Sequence, residues 1–139
     1  MGFTIRAQRP TLPELTTLYQ SVGWSAYTVD PARLKAAIDG SHLVLCARDS
    51  DGTLLGLART VSDGNTIVYL QDLLVSAEHQ CEGIGGALLD EVLDRSRDIR
   101  QLVLLTDADP AQRAFYESRQ LVEAHDHRPN QLRAFVRLG

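Results

Sequence analysis

The stretch "VSAEHQCEGIGGALLDEVL", Val75 to Leu93, places three glycines within four residues at the entrance of a helix. From Ile84 onward its apolar residues follow a helical spacing, which predicts an amphipathic helix. Glycine costs about 1 kcal/mol relative to alanine in a helix interior, so Gly83, Gly85 and Gly86 need a physical reason. Either the backbone turns where a Cβ cannot go, or a ligand approaches the backbone closely.

The elements around these glycines favour an anion site. A strand-like run, "TIVYLQDLLV", comes before them, and a helix N-terminus offers unpaired N–H groups and a positive dipole. A diphosphate could therefore contact the bare backbone. For a glycine cluster considered alone, a turn needed only for close packing of helix on sheet is favoured instead. A dinucleotide fingerprint would need glycine where Leu88 stands, and a Walker loop would need a lysine, so both are excluded.

Composition indicates an ordinary globular protein. The chain has 139 residues, a net charge of −4, 44% hydrophobic and 23% charged residues. This predicts one domain over residues 1–139 and argues against nucleic acid, which needs a basic face. Cys46 and Cys81 form neither a metal spacing nor a disulfide framework. No apolar run is long enough to span a membrane and no signal-peptide core is present, so we expect a cytoplasmic protein without a membrane partner.

The order of elements predicts an α/β (α+β) fold. Periodicity and turn residues indicate β-α-α-β-β-β-α-β-α-β-β, ending in a hairpin of "LVEAHDH" and "LRAFVRL". The strands "TIVYLQDLLV" and "QLVLLTD" are joined through a helix, so they should be parallel neighbours. We therefore predict a mixed central sheet of about seven strands flanked by four helices.

At these residues the sequence resembles the GNAT (Gcn5-related) N-acetyltransferase family. Its signature, [Q/R]-x-x-G-x-[G/A] after a strand and opening a helix, stands here as Gln80 to Gly85. "YLQDLLVSAEHQ" is similar to the strand and loop before that signature, and "RAFYES" to a later helix of the family. The element order also matches, so the resemblance covers essentially the whole chain and implies the GNAT acyltransferase fold.

The resemblance implies an acetyl-coenzyme A site. The pyrophosphate would lie on the loop amides, and the pantetheine arm would pair with a strand edge that a bulge opens. The N–H of Leu73 would stabilise the oxyanion as the amine attacks the thioester. The implied coenzyme-binding residues are Leu73, Leu74, Val75, Gln80, Cys81, Glu82, Gly83, Ile84, Gly85, Gly86 and Ala87.

Tyr116 and Asp72 are the candidate catalytic residues. The resemblance implies that the Tyr116 hydroxyl protonates the departing thiolate, although a tyrosine here could simply lie at the core edge. Asp72 interrupts an apolar strand, where an unpaired charge would be costly. It either caps backbone groups or pairs with an arginine such as Arg59, or it binds the substrate ammonium or relays its proton through water. The residues alone leave both alternatives open.

Trp24 and Tyr27, in the segment "GWSAY" between the first two helices, are the candidate walls of an acceptor pocket, with Asp72. For Trp24, an anchor that packs the loop on the core is slightly favoured over a pocket wall. His125 and His127 are spaced to share one strand face, but lack a third and fourth ligand. We therefore read them as a solvated strand edge and predict no metal.

The sequence therefore predicts an N-acetyltransferase. It would transfer an acetyl group from acetyl-CoA to a primary amine, carried by a small molecule or a peptide, by direct attack in a ternary complex. The alternatives are transfer of another acyl group, transfer to a hydroxyl, and a non-catalytic acyl-CoA binding or sensing module. The acceptor is not identified, and a homodimer stays open.

Overall fold

The computed structural model describes residues 2–139. Contacts divide the chain into two compact units, the first ending at Leu105 and the second spanning Thr106–Gly139. The first unit holds the whole sheet and most of the helices. The single domain over residues 1–139 stays a prediction.

Capping residues explain where several helices begin. Thr11 and Glu14 form a capping box at the first helix, as the sequence "TLPEL" suggests, and Asp30 caps the third before a proline. The elements of the first unit are β1 (Thr4–Ala7), α1 (Leu12–Ser21), α2 (Ser25–Thr28), α3 (Pro31–Asp39), β2 (Leu43–Arg48), β3 (Leu54–Ser62), β4 (Ile67–Val75), α4 (Ile84–Arg95) and β5 (Gln101–Leu104). The second unit contains α5 (Pro110–Glu117) and a 3₁₀ turn, Ala124–Asp126.

The strands lie in the order β1-β2-β3-β4-β5. The first four form an antiparallel meander, and β5 pairs parallel to β4 after the α4 crossover. The predicted parallel pair is therefore confirmed. A parallel neighbour reached through a helix places the loop between β4 and α4 at the carboxyl end of β4.

The sheet packs helices on both faces because side chains alternate along each strand. On one face, Leu57 and Leu74 join Leu15 of α1 and Leu34 of α3 in the core. On the other face α4 packs closely against Gly56. A Cβ at Gly56 would lie 3.0 Å from the Leu74 carbonyl oxygen and 3.1 Å from a methyl of Ile84, so a larger residue would have to displace its neighbours.

Two predicted counts are wrong. Within residues 2–139 the sheet has five strands, not about seven, and there are five α-helices, not four. The extra helix, α2, is a single turn, too short to leave a periodic pattern. The expected closing hairpin is absent from the described chain, where residues 121–139 hold only the 3₁₀ turn. Apolar alternation is a local signal, whereas a strand exists only when a neighbour pairs with it.

Candidate active site

A bulge interrupts β4 at Gln71. Arg59 of β3 pairs with Asp72, but the next residue, Thr60, pairs with Leu70, so Gln71 has no opposite residue. An extra residue bends the strand and re-aims the side chains next to it. The bulge expected from the family resemblance is therefore present in β4.

Beyond the bulge, β4 is open on the side of β5. The parallel pairing ends at Leu70 opposite Leu104. The N–H of Ser76 donates to Leu55 of β3 at 2.7 Å. Peptide groups alternate in direction along a strand, so those of Leu73 and Val75 point away from β3. The Val75 carbonyl accepts from the Gln80 side chain at 3.4 Å, which agrees with this direction.

The glycine-rich loop places unpaired backbone N–H groups at the start of α4, next to the end of β4. Gly83 is the N-cap of α4 with φ 86°, in the left-handed region, and no side chain caps the helix. A Cβ there would meet nothing within 4 Å, so the turn itself requires this glycine. The first intrahelical bond runs from Ala87 N–H to the Gly83 carbonyl at 3.1 Å. The N–H groups ahead of it lack helical partners.

Cys81, two residues earlier, also has a positive φ of 65°. Two left-handed residues so close together curl the backbone between β4 and α4, and such a curl turns successive N–H groups toward a common point. Beside it, His79 Nδ1 lies 3.4 Å from Glu82 Oε1. The loop residues predicted to bind the coenzyme are thus contiguous at one end of β4.

On the other face of β4, Asp72 lies at the centre of a buried hydrogen-bond cluster. Its Oδ2 accepts from Tyr19 Oη at 2.9 Å and from Arg59 Nε at 2.5 Å, and its Oδ1 accepts from Tyr27 Oη at 2.8 Å. The Asp72 residue is only 3% exposed. The predicted pairing with Arg59 is therefore confirmed, and it neutralises the buried charge. We call Asp72, Arg59, Tyr19 and Tyr27 the Asp72 cluster.

Tyr27 connects this cluster to the surface. Its hydroxyl accepts from the exposed Gln71 amide at 3.2 Å. The Tyr27 ring lies 5.0 Å from Tyr19, and the Tyr19 ring contacts Trp24 edge-on at 5.9 Å. Trp24 thus packs against the core, as the anchoring interpretation predicted. Burial raises the pKa of both Tyr19 and Tyr27 above the usual value for tyrosine.

Sequence reasoning missed Tyr19 and Gln71. Tyr19 fell on the apolar stripe of α1 and looked like a core residue, although 53 residues separate it from the carboxylate it contacts. Gln71 is polar beside Asp72, but only the bulge brings its amide to Tyr27. A lone polar residue next to a strand carboxylate was the one available signal.

Tyr116 lies in the second unit, on α5. Asp109 caps this helix by accepting from Ala111 N–H at 2.9 Å. The Tyr116 ring is half-buried and packs edge-on against Phe115 at 5.0 Å. Burial raises the pKa of its hydroxyl.

The second unit also contains a group of possible metal ligands that the sequence analysis did not predict. Glu123, His125 and Asp126 bring their ligand atoms within 4.8 Å of one another. His125 lies in a 3₁₀ turn, so its assignment to a strand edge was wrong. Arg113 already pairs with Glu123 at 3.1 Å and Asp126 at 2.8 Å. This cation takes up acidic charge that a metal ion would require.

Comparisons with known proteins agree with this geometry. An "Acetyltransferase (GNAT) domain" family model matches residues 12–128. An uncharacterized ycf52-like N-acetyltransferase of Prochlorococcus marinus is 35% identical over 77% of this chain and 60% of its own length. The histone acetyltransferase TAP1 of Glycine max is 30% identical over 68% of this chain and 46% of its own length.

A solved structure also matches. The GNAT family acetyltransferase SP0256 of Streptococcus pneumoniae superposes with a TM-score of 0.80 and 30% identity, covering 99% of this chain and 100% of that one. No helix among residues 2–139 combines the length and apolarity needed to cross a bilayer. The open β4 edge, the bulge and the uncapped glycine helix thus stand on the fold of known acetyltransferases, and this chain belongs to the GNAT acetyltransferase family.

Proposed function

We propose that this protein transfers an acetyl group from acetyl-CoA to a primary amine by direct attack in a ternary complex. The observation that supports this most is the glycine-rich, uncapped start of α4 at the end of an unpaired β4 edge. This chain spans 60% and 46% of the two curated relatives above, so their activities are a guide and not a finding.

The coenzyme side would consist almost entirely of backbone. The N–H groups of Gly83, Ile84, Gly85 and Gly86 would donate to the diphosphate, whose negative charge the α4 dipole favours. The peptide of Leu73, directed away from β3, would face the thioester. Its N–H would stabilise the negative charge that develops on the carbonyl oxygen during attack.

The acceptor side would be the Tyr27 end of the Asp72 cluster. Asp72 Oδ2 already accepts two hydrogen bonds, but Oδ1 accepts only one, from Tyr27. A carboxylate oxygen has two lone pairs, so Oδ1 keeps one acceptor position beside the Tyr27 hydroxyl bond. An ammonium group could bind there and lose its proton through water before attack, since an alkylamine has a pKa of about 10.

Tyr116 would complete the reaction as general acid. As the carbon–sulfur bond breaks, its hydroxyl would protonate the departing thiolate of coenzyme A. A tyrosine hydroxyl, with an ordinary pKa of about 10, is protonated at neutral pH, and burial raises the pKa of Tyr116 further, so the proton is present when the thiolate departs. General acid catalysis typically contributes about 10²–10⁴-fold.

The test is release of free coenzyme A thiol from acetyl-CoA with a panel of amines. The panel should contain small alkylamines, arylalkylamines, amino acids, polyamines, aminoglycosides and a lysine peptide, the last because the soybean relative is named a histone acetyltransferase. We expect amine-dependent thiol release by the full chain. Tight coenzyme binding without release by any amine would support a sensing module instead, and release only from longer acyl-CoAs would support another acyl donor.

Removing one hydroxyl tests the general acid. Tyr116→Phe should lower kcat by about tenfold or more, with melting temperature and coenzyme affinity nearly unchanged. Tyr69→Phe is the matched control, since Tyr69 is a half-buried tyrosine of β4 without a proposed role. Wild-type turnover in Tyr116→Phe would assign protonation of the sulfur to solvent or another group.

A further inference from the structure

Gln71 is an exposed polar residue at the start of the open edge of β4. It has no opposite residue on β3, because the strand bulges there. The parallel pairing with β5 ends one residue earlier, at Leu70. Leu73, whose N–H is proposed to face the thioester, follows two residues later. Gln71 therefore lies between the last paired residue of β4 and the proposed site of acetyl transfer.

A chain of hydrogen bonds fixes the orientation of the Gln71 amide. Asp72 pairs with Arg59 as a carboxylate, and a carboxylate only accepts hydrogen bonds. The single hydrogen of the Tyr27 hydroxyl is therefore donated to Asp72 Oδ1, at 2.8 Å. The same hydroxyl oxygen accepts from the Gln71 NH2 group, at 3.2 Å. The carbonyl end of the amide, Oε1, is left for another donor.

This carbonyl oxygen is the accessible acceptor on the surface of the Asp72 cluster. Among residues 2–139 no N–H or O–H group donates to Gln71 Oε1. The carboxylate behind it is covered, since the side chain of Asp72 is 2% exposed and that of Arg59 is 8% exposed. An amine outside the protein can therefore reach a neutral carbonyl oxygen here without displacing the buried ion pair.

The spacing along β4 suits an amine placed between Gln71 and the thioester. Two residues of strand separate Gln71 from Leu73, a rise of about 7 Å. A hydrogen bond from the amine to Gln71 Oε1 takes up about 3 Å. A nitrogen poised to attack lies about 3–3.5 Å from the thioester carbon. These two contacts together match the rise between the two residues.

An amide side chain also suits the chemistry of the acceptor. The amine must be neutral to attack, and a carboxylate in contact with it would raise its pKa and hold the extra proton. A neutral carbonyl accepts an N–H from the amine without adding a charge that favours the ammonium form. The amide donates and accepts through separate atoms, so Gln71 can bind Tyr27 and the amine at the same time.

We propose that Gln71 binds and orients the acceptor amine. Its Oε1 accepts an N–H of the neutral amine and directs the nitrogen lone pair toward the thioester beside Leu73. Tyr27, itself held by Asp72, keeps the amide in this orientation. This role rests on the proposed function, and it makes the amide, not the buried carboxylate, the first contact of the amine.

Removing the carbonyl tests this contact. Rates of thiol release are measured at saturating acetyl-CoA with n-butylamine and with the most reactive amine of the panel above. Gln71→Met keeps the length of the side chain but has no amide, so kcat/KM for the amine should fall about tenfold, with coenzyme affinity unchanged. Gln101→Met is the matched control, since Gln101 is an exposed glutamine at the first position of β5. It should leave the rates unchanged.

A second variant separates binding of the amine from a merely structural role. Gln71→Glu keeps an acceptor and adds a charge, so KM should recover, whereas the pH at which kcat is half-maximal should rise by about one unit. Gln101→Glu should keep the wild-type pH profile, and circular dichroism checks that all variants fold. Unchanged kcat/KM in Gln71→Met, or a wild-type pH profile in Gln71→Glu, would overturn this role alone. Absence of thiol release by the wild type with every amine would overturn the proposed function as well.

Discussion

The Asp72 cluster and the glycine-rich loop are built from neighbouring parts of one segment, yet they satisfy their polar groups in opposite ways. In the cluster, a buried carboxylate accepts three hydrogen bonds from side chains of α1, α2 and β3. In the loop, the N–H groups at the start of α4 receive no side-chain cap. Buried polar groups must form hydrogen bonds inside the fold, whereas exposed groups can bond to water and exchange it for a ligand. We therefore expect the cluster to govern stability and the loop to govern coenzyme binding.

The largest expected effect is on folding stability. Asp72→Asn keeps the shape but removes the charge that balances Arg59, and leaving a buried ion unpaired typically costs about 3–5 kcal/mol. Urea unfolding measures the loss. Asp94→Asn is the matched control, because Asp94 and Arg97 form an exposed pair that should contribute less than about 1 kcal/mol. Equal stability of the two variants would contradict a structural role for the cluster.

The same substitution also tests the acceptor role of Asp72. If Oδ1 receives the amine, the folded Asp72→Asn enzyme should show a raised KM for the amine or a shifted pH profile, with coenzyme binding intact. Normal kinetics per folded molecule would restrict Asp72 to stability.

The next largest expected effect is a loss of folding stability at high pH, where the tyrosines of the Asp72 cluster ionise. Burial raises the pKa of Tyr19 and Tyr27 in the folded protein, so the folded state holds these protons more tightly than the unfolded chain does. Their contribution is complete below the unfolded pKa of about 10 and is lost as pH rises above it. Between pH 10 and 11 we expect ionisation of Tyr19 to lower the free energy of unfolding by about 1 kcal/mol, with Tyr27 acting in the same direction. Absorbance at the tyrosinate band, recorded with unfolding, checks it; ionisation of all tyrosines with ordinary pKa values would contradict it.

A charge in the loop should affect binding and stability differently. Gly85→Asp places a carboxylate where the diphosphate should bind, so coenzyme A affinity measured by calorimetry should fall by about tenfold or more, or about 1.4 kcal/mol. An acidic residue in the first turn favours a helix, so stability should be unchanged or slightly higher. Gly2→Asp adds the same charge where a Cβ would meet nothing within 4 Å, and serves as the control. Unchanged affinity in folded Gly85→Asp would refute the anion site.

The smallest expected effect concerns the Tyr27 hydroxyl, which donates to Asp72 and accepts from the Gln71 amide. Tyr27→Phe removes one hydrogen bond to a charged group that keeps its other two donors, so stability should fall by about 1 kcal/mol. If this side receives the acceptor, KM for the amine should rise while coenzyme affinity stays constant. Tyr69→Phe again provides the control. A fall in coenzyme affinity would show that the Asp72 cluster also contributes to coenzyme binding, and would contradict the expectation that only the loop does.

Much of the loop could be predicted from the sequence, because its determinants are contiguous. Gln80, Gly83 and Gly85 fall within six residues, between a strand-like run and a helical stripe, and the structure places them there. The parallel pairing of β4 and β5 followed from the helix between them. The Asp72 cluster could be anticipated only as a choice between pairing and catalysis. Its tyrosine donors lie 53 and 45 residues away, and no local pattern reports such distances.

The sequence by itself determined the family, the order of the main elements and the position of the glycine turn. These depend on short-range physics: backbone conformations open to glycine, helix capping and the periodicity of apolar residues. The tertiary structure alone decided that Gln71 bulges and which hydroxyls meet Asp72. Each of these depends on which distant segment lies alongside, because strand register and buried hydrogen bonds are properties of pairs and not of either partner alone.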